Sequence, residues 1–349
     1  MFTVTFGVIT PPEGENDWVS HPQKPAREDS HAMSNVLAVD IGGTQFRLAL
    51  FDAQGRRLLL SEGRTDSSGG RHWMLNEFRV RAQDLIGQSD QSVRSCGVSF
   101  GGPVDFRTQR VNSMHVSGWR GFGLARWVDE NLNLKCRVDN DANAGALGEF
   151  HFGAGRGTES VLYLTISTGI GGGVVCSGRV HRGKDSMAGE VGHIPVSDAG
   201  ALCSCGGRGC LETICSGTAI GLRGRGFAQR KPEVMQRTIE LASGNPELIT
   251  AEIVFNAASE GESGALFIVR EAARALARAL VVTIRILNPD MIILGGGVAL
   301  AGRVLLDPVH EYLEEFSAPL LDHSTKVVQA ELGKFSPLYG AAALGLELA

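Results

Sequence analysis

The sequence lacks any uninterrupted apolar run long enough to span a bilayer, which argues against an integral membrane protein. It also lacks a surplus of positive charge. Its 33 Lys+Arg face 38 Asp+Glu, a formal net charge of -5. That balance leaves no electrostatic footprint for nucleic acid or an anionic membrane. The first ten residues hold no basic segment, and Pro11-Pro12 follow at once, which argues against a secretory signal. The seven cysteines are an odd number, and three crowd into Cys203–Cys210. In an intracellular protein such crowding points to metal rather than to disulfides.

What the sequence has in quantity is glycine, 46 residues gathered in short loops, a sign of close backbone approach to ligands. Hydrophobic residues at 43% and charged residues at 20% fit a soluble globular protein, and 349 residues suffice for two lobes with a cleft. Residues 1–34 mix prolines and charges without periodicity and read as a disordered leader. Translation from Met33 and a genuine tail both fit that reading.

From Asn35 the pattern is regular. Val36–Asp40 reads as a buried strand, Gly42-Gly43-Thr44 as a tight turn, and Phe46–Phe51 and Arg56–Leu60 as returning strands. Helices are expected over 73–86, 124–131, 142–150 and 265–287, and strands over 96–100, 161–166 and 291–294. The hairpin with a glycine turn occurs again at Val161–Val175, so the two halves look duplicated. Arg270, Arg274, Arg278 and Arg285 share one arc of the long helix and read as a solvated face. The final stretch, 337–348, reads as a small-residue helix.

Three glycine loops each follow a buried strand. Asp40-Ile41-Gly42-Gly43-Thr44 offers backbone N–H groups for phosphate oxygens, and a carboxylate for magnesium or its water shell. Ser167-Thr168-Gly169-Ile170-Gly171-Gly172-Gly173 repeats that logic with a hydroxyl pair. Gly295-Gly296-Gly297 offers bare backbone on which an adenine or ribose could lie. One such loop is an ordinary hairpin; three point to nucleotide phosphates. His193, Cys203, Cys205 and Cys210 supply one imidazole and three thiolates, a closed tetrahedral zinc set and therefore structural. The bland alternative is a group of reduced thiols, as expected of Cys96, Cys136, Cys176 and Cys215. Asp141, in Asn140-Asp141-Ala142-Asn143, is either a helix cap or a general base at the lobe junction. Spacing does not choose between them.

Together these motifs resemble the ROK family (repressors, open reading frames, kinases), within the sugar kinase, Hsp70 and actin superfamily. Three blocks carry the resemblance, which spans Val36 to Ala349: the Asp40 hairpin, the Thr168–Gly173 run, and Ala188-Gly-Glu190-Val-Gly-His193 leading into Cys203–Glu212. The resemblance implies an α/β fold of two duplicated ribonuclease-H-like lobes around a central cleft. The small lobe would be 35–139 plus 335–349, and the large lobe 140–334. It makes Asp141 the catalytic base and Asn140, Glu190, His193 and Glu212 sugar ligands, with Gly102 on the substrate side. His193 would face zinc with one ring nitrogen and sugar with the other. Asp40, Gly42, Gly43, Thr44, Thr168, Gly169, Gly296 and Gly297 would hold ATP and Mg2+. Glu149 would pack its helix, and Arg47 would steady the phosphate hairpin.

Two positions depart from the family pattern. Gln45 stands where many of these kinases carry Lys, and His115 where a sugar-contacting Asn is usual. The implied reaction is transfer from ATP to the 6-hydroxyl of a hexose, glucose first, with N-acetylmannosamine, N-acetylglucosamine, fructose and allose as alternatives. A cytoplasmic homodimer with a structural zinc, and with no nucleic-acid or membrane partner, is implied as well. A sugar-sensing repressor would need a helix-turn-helix segment that the first 34 residues do not resemble. A catalytically dead sugar-binding module would not need Asp40, Asp141 and both phosphate loops.

Overall fold

The computed structural model describes residues 34–113, 116–317 and 324–349. The expected leader, Ser34 excepted, lies outside the described residues, and so does His115.

The apolar run after Ser34 forms β1 (Asn35–Ile41), buried along its whole length. It turns at the glycines into β2 (Gln45–Phe51) and β3 (Arg57–Arg64), both antiparallel. Helix α1 (Gly70–Gly87) leads to β4 (Val93–Phe100), parallel to β1. A small ladder of β5 (Val104–Asp105), β6 (Arg110–Val111) and β7 (Phe122–Gly123) precedes α2 (Leu124–Leu132) and β8 (Lys135–Asn140). The first sheet runs β3-β2-β1-β4-β8.

Helix α3 (Asp141–Phe152) crosses to a second sheet. There β9 (Ser160–Ile166), β10 (Ile170–Cys176) and β11 (Arg179–Val180) form the antiparallel half. Helices α4 (Glu212–Cys215), α5 (Gly217–Arg230), α6 (Gln236–Leu241), α7 (Ala251–Ser259) and α8 (Ser263–Leu287) follow. Strand β12 (Met291–Gly295), α9 (Arg303–Phe316) and β13 (Lys326–Gln329) complete the sheet, and α10 (Ser336–Leu346) ends the chain. The order β11-β10-β9-β12-β13 repeats that of the first sheet. In both, three antiparallel strands are extended by two parallel ones, the ribonuclease-H-like arrangement that the resemblance implied.

Some expectations need correction. Helix α1 begins at Gly70 rather than near residue 73, because Trp73 N already bonds the Gly69 carbonyl. Strand β3 continues to Arg64, paired with Gln45. Cys176 is exposed, not a core thiol, because it ends β10 just before the turn at Ser177 and Gly178, both at positive φ. The arginines of α8 do form an exposed face.

Glu149 does more than pack its helix. Fully buried on α3, it accepts from Ala154 N (2.9 Å), Leu332 N (3.0 Å), Glu331 N (3.2 Å) and Ser336 Oγ (2.6 Å). It thereby ties the helix entering the second sheet to the segment leaving it for α10. Glu149→Ala would leave four donors without their acceptor, the buried Ser336 hydroxyl among them, so unfolding should become easier by about 3 kcal/mol. An unfolding free energy from urea titration within about 1 kcal/mol of the parent, on the usual scale of single substitutions, would contradict this role.

Candidate active site

Helix α3 begins where the first sheet ends, and its first turn carries the residue whose role the sequence left open. The cap is Asn140: its side chain accepts from Asn143 N at 2.7 Å. Asp141 is therefore released from capping. Its side chain is half-buried. Burial raises its pKa to about 6, and the charges of Asp40 and Glu190 push the same way. A carboxyl so placed is poised to accept a proton near neutral pH.

Asp40, the penultimate residue of β1, is buried. Burial raises its pKa, against the pull of Arg47 and Ser99. Arg47 Nη1 donates to Oδ2 at 3.1 Å and Ser99 Oγ to Oδ1 at 2.9 Å. Each carboxylate oxygen so keeps a lone pair, which suits a water-shelled Mg2+. Arg47 also bonds Glu62 (3.0 Å) and Gln45 Oε1 (2.6 Å). Gln45, at the position of the usual Lys, thus faces the hairpin's own guanidinium. Gly42 N closes the turn on Gln45 O at 2.9 Å, leaving Gly43 and Thr44 exposed at its tip. Gly101 N bonds Ile41 O at 2.8 Å, which sets Gly101 against that hairpin, while Gly102 packs on the Asn112 carbonyl.

The second glycine run divides its labour. A Cβ on Gly172 would collide with Gly189 O, and one on Gly173 with Ala142 O. These two glycines therefore let the Glu190 loop and the first turn of α3 close onto opposite faces of β10. They serve packing rather than phosphate, a correction to the sequence reading of the whole run as a nest. Thr168 is exposed and Gly169 half-buried at the turn. Ser167 N bonds Gly169 O, and Thr218 Oγ1 donates to Thr168 O at 2.8 Å.

Behind Thr168 opens a cavity of about 830 Å³, lined among others by Thr218, Arg225, Phe255, Asn256, Gly297 and Val298. Gly296, at φ +83°, instead turns the chain against the Ile166 backbone. Helices α5 and α7, which wall this cavity, were not foreseen from the sequence. Their signals are Ser216 and Thr250, whose side chains cap them by accepting from Ala219 N and Ile253 N.

Glu190 and His193 stand three residues apart, with Oε2 and Nε2 at 3.8 Å. Burial raises the Glu190 pKa, His193 lowers it, and Glu212 raises it. Glu212 Oε2 accepts from Ile170 N at 2.8 Å. The other His193 nitrogen, Nδ1, lies 3.4 Å from Cys203 Sγ, and Cys205 Sγ lies 3.7 Å from Cys210 Sγ. The four donor atoms all fall within 4.8 Å of one another. A zinc tetrahedron with Zn–S near 2.3 Å and Zn–N near 2.0 Å has edges of about 3.5–3.8 Å. The donor set fits that ion in chemistry and in spacing. Among the described residues no helix is long and apolar enough to cross a membrane.

The ROK family model matches residues 36–347. This chain belongs to the ROK family. The glucokinase of Thermotoga maritima is 33% identical over 311 residues, 88% of this chain and 96% of that one. The glucokinase of Halalkalibacterium halodurans is 34% identical over 309 residues, 87% and 92% of the two chains. Among solved structures, a ROK family glucokinase from Streptomyces griseus in complex with glucose and AMPPNP superposes with a TM-score of 0.78. It is 30% identical, over 90% of this chain and 99% of that one.

Proposed function

We propose that this protein transfers the γ-phosphoryl group of ATP to the 6-hydroxyl of glucose. It is a sugar kinase of the ROK family. The observation that carries the reading is Asp141: released from capping by Asn140, raised to a pKa of about 6, and placed between the phosphate hairpin and the Glu190–His193 loop. Glucose leads because the glucokinases named above match over nearly their whole length.

The reaction needs one proton removed from the sugar hydroxyl as oxygen attacks phosphorus, and Asp141 accepts it. Asn140, Glu190, His193 and Glu212 bind the sugar hydroxyls, with Gly102 beside them. Thr44, Thr168, Gly169 and the glycine turns cradle the phosphates. The nucleoside occupies the cavity at Gly297. Asp40 would hold Mg2+, whose charge offsets that of the phosphates. His193, Cys203, Cys205 and Cys210 would hold a structural zinc, which fixes the sugar loop. The lobes of this reading are 35–139 with 335–349, and 140–334. The protein works in the cytoplasm, where thiols remain reduced, and as a homodimer without nucleic acid or membrane.

A coupled ADP-release assay over glucose, fructose, allose, N-acetylmannosamine and N-acetylglucosamine tests the reading. Glucose should give the highest kcat/KM. Preference for an N-acetylhexosamine would move the assignment within the family.

A further inference from the structure

Asp139 is not one of the groups assigned to substrate above, yet it lies two residues from the base and is almost wholly buried. Its carboxylate is fully engaged. Oδ1 accepts from Asn140 N (2.9 Å) and Asn143 Nδ2 (3.0 Å). Oδ2 accepts from Arg182 Nε (2.9 Å) and Nη2 (2.6 Å). The guanidinium lies 3.4 Å from the centre of the Phe106 ring, which limits its freedom.

The two partners belong to different halves of the molecule. Asp139 is on β8 of the first sheet; Arg182 follows β11 of the second. Arg182 also opens the run to Glu190, and its carbonyl accepts from Ala188 N at 3.1 Å. One side chain thus reaches the first turn of α3, while its own backbone anchors the start of the sugar loop. A guanidinium that donates twice to one carboxylate oxygen is held in direction as well as by charge. Resting on the kinase reading, we infer that Arg182, through Asp139, is a positioning residue that fixes the Glu190–His193 loop against the base Asp141. A misplacement of about 1 Å at such a junction can cost about a hundredfold in rate.

Arg182→Met alone leaves a buried carboxylate without its partner and risks unfolding. Arg182→Met/Asp139→Asn removes both charges, and the new amide oxygen can still accept from Asn140 N. Arg182→Lys keeps the charge and loses the fork. Hydrogen exchange should quicken at residues 140–143 and 188–193 in both the double variant and Arg182→Lys, and stay unchanged in α5 and α7. For the sugar, kcat/KM should fall by about tenfold to a hundredfold in the double variant and by less in Arg182→Lys. ATP affinity should stay within about twofold, a difference of under half a kcal/mol, because the nucleoside cavity lies elsewhere. Unchanged exchange at 140–143 and 188–193 would overturn the inference. So would a loss of ATP affinity in step with sugar turnover, which marks general loosening. If the parent protein phosphorylates no hexose, the kinase reading fails, and the exchange measurement alone decides on the clamp.

Discussion

Asp141→Asn should lower kcat for sugar phosphorylation by at least about two orders of magnitude, the usual contribution of a general base. The melting temperature should hold or rise. The cap survives, because it belongs to Asn140. What is lost is a carboxylate that burial, Asp40 and Glu190 all make harder to ionise. The favourable contact of an acid with the helix N-terminus goes too, but at about 0.3–1 kcal/mol it is the smaller effect. The same shift gives a pH signature. The base works only when ionised, so kcat/KM should fall about tenfold per pH unit below about 6. Stability runs the other way at this residue. Its folded pKa, about 6, lies above the ordinary 3.8 of an aspartate in the open chain. The fold therefore binds the proton more tightly than the open chain does. That contribution is complete below the unfolded value and is lost as pH rises through about 6. A variant with near-parental kcat, or an acid limb that does not move to about 6, would remove Asp141 from the chemistry.

Loss of the metal should be the other large effect. Segment 194–211 is held to itself by few backbone bonds, among them Val196 N to Gly209 O and Leu211 N to Ile194 O. Structural zinc contributes roughly 10–16 kcal/mol in small peptides, so little else can replace it here. Elemental analysis should find about one zinc per chain, as a four-ligand site demands. Cys210→Ser removes a buried ligand. It should abolish zinc binding, lower the melting temperature and raise the sugar KM at least about tenfold, the least loss expected when an ordered loop is released. ATP affinity should survive, because the cavity at Thr218 and Gly297 has no part in the cluster. Wild-type sugar kinetics in a zinc-free Cys210→Ser protein would refute the structural role of the metal.

Much of the fold was legible because its signals are local. The buried run at Val36 and its echo at Val161 carry period, turn glycines and duplication in one short window each. The Cys/His cluster was legible because three of its members fall within eight residues. What stayed hidden depends on long-range placement. The cap or base question at Asp141 was undecidable from spacing, since Asn140 and Asp141 are both good caps. Which of the two caps the helix turned on which side chain reaches Asn143 N. The Arg182–Asp139 pair joins residues 43 apart in the chain, and no periodicity announces it. Gly172 and Gly173 were read as phosphate binders because a glycine that admits a ligand and one that admits a neighbouring backbone look alike in sequence. Helix α5 was passed over because its glycines blur the apolar stripe, and α7 because its 9 residues are too few to show a period, leaving only their caps as signals.

The central claim is phosphoryl transfer from ATP to a sugar hydroxyl in a site built on Asp141. The most direct measurement is the product itself. The full chain would be incubated with MgATP and glucose, ADP would be quantified, and the sugar product would be identified by phosphorus and carbon NMR. The account predicts glucose 6-phosphate in a one-to-one ratio with ADP. Sugar-independent ADP release, or none with any hexose or N-acetylhexosamine, would contradict it.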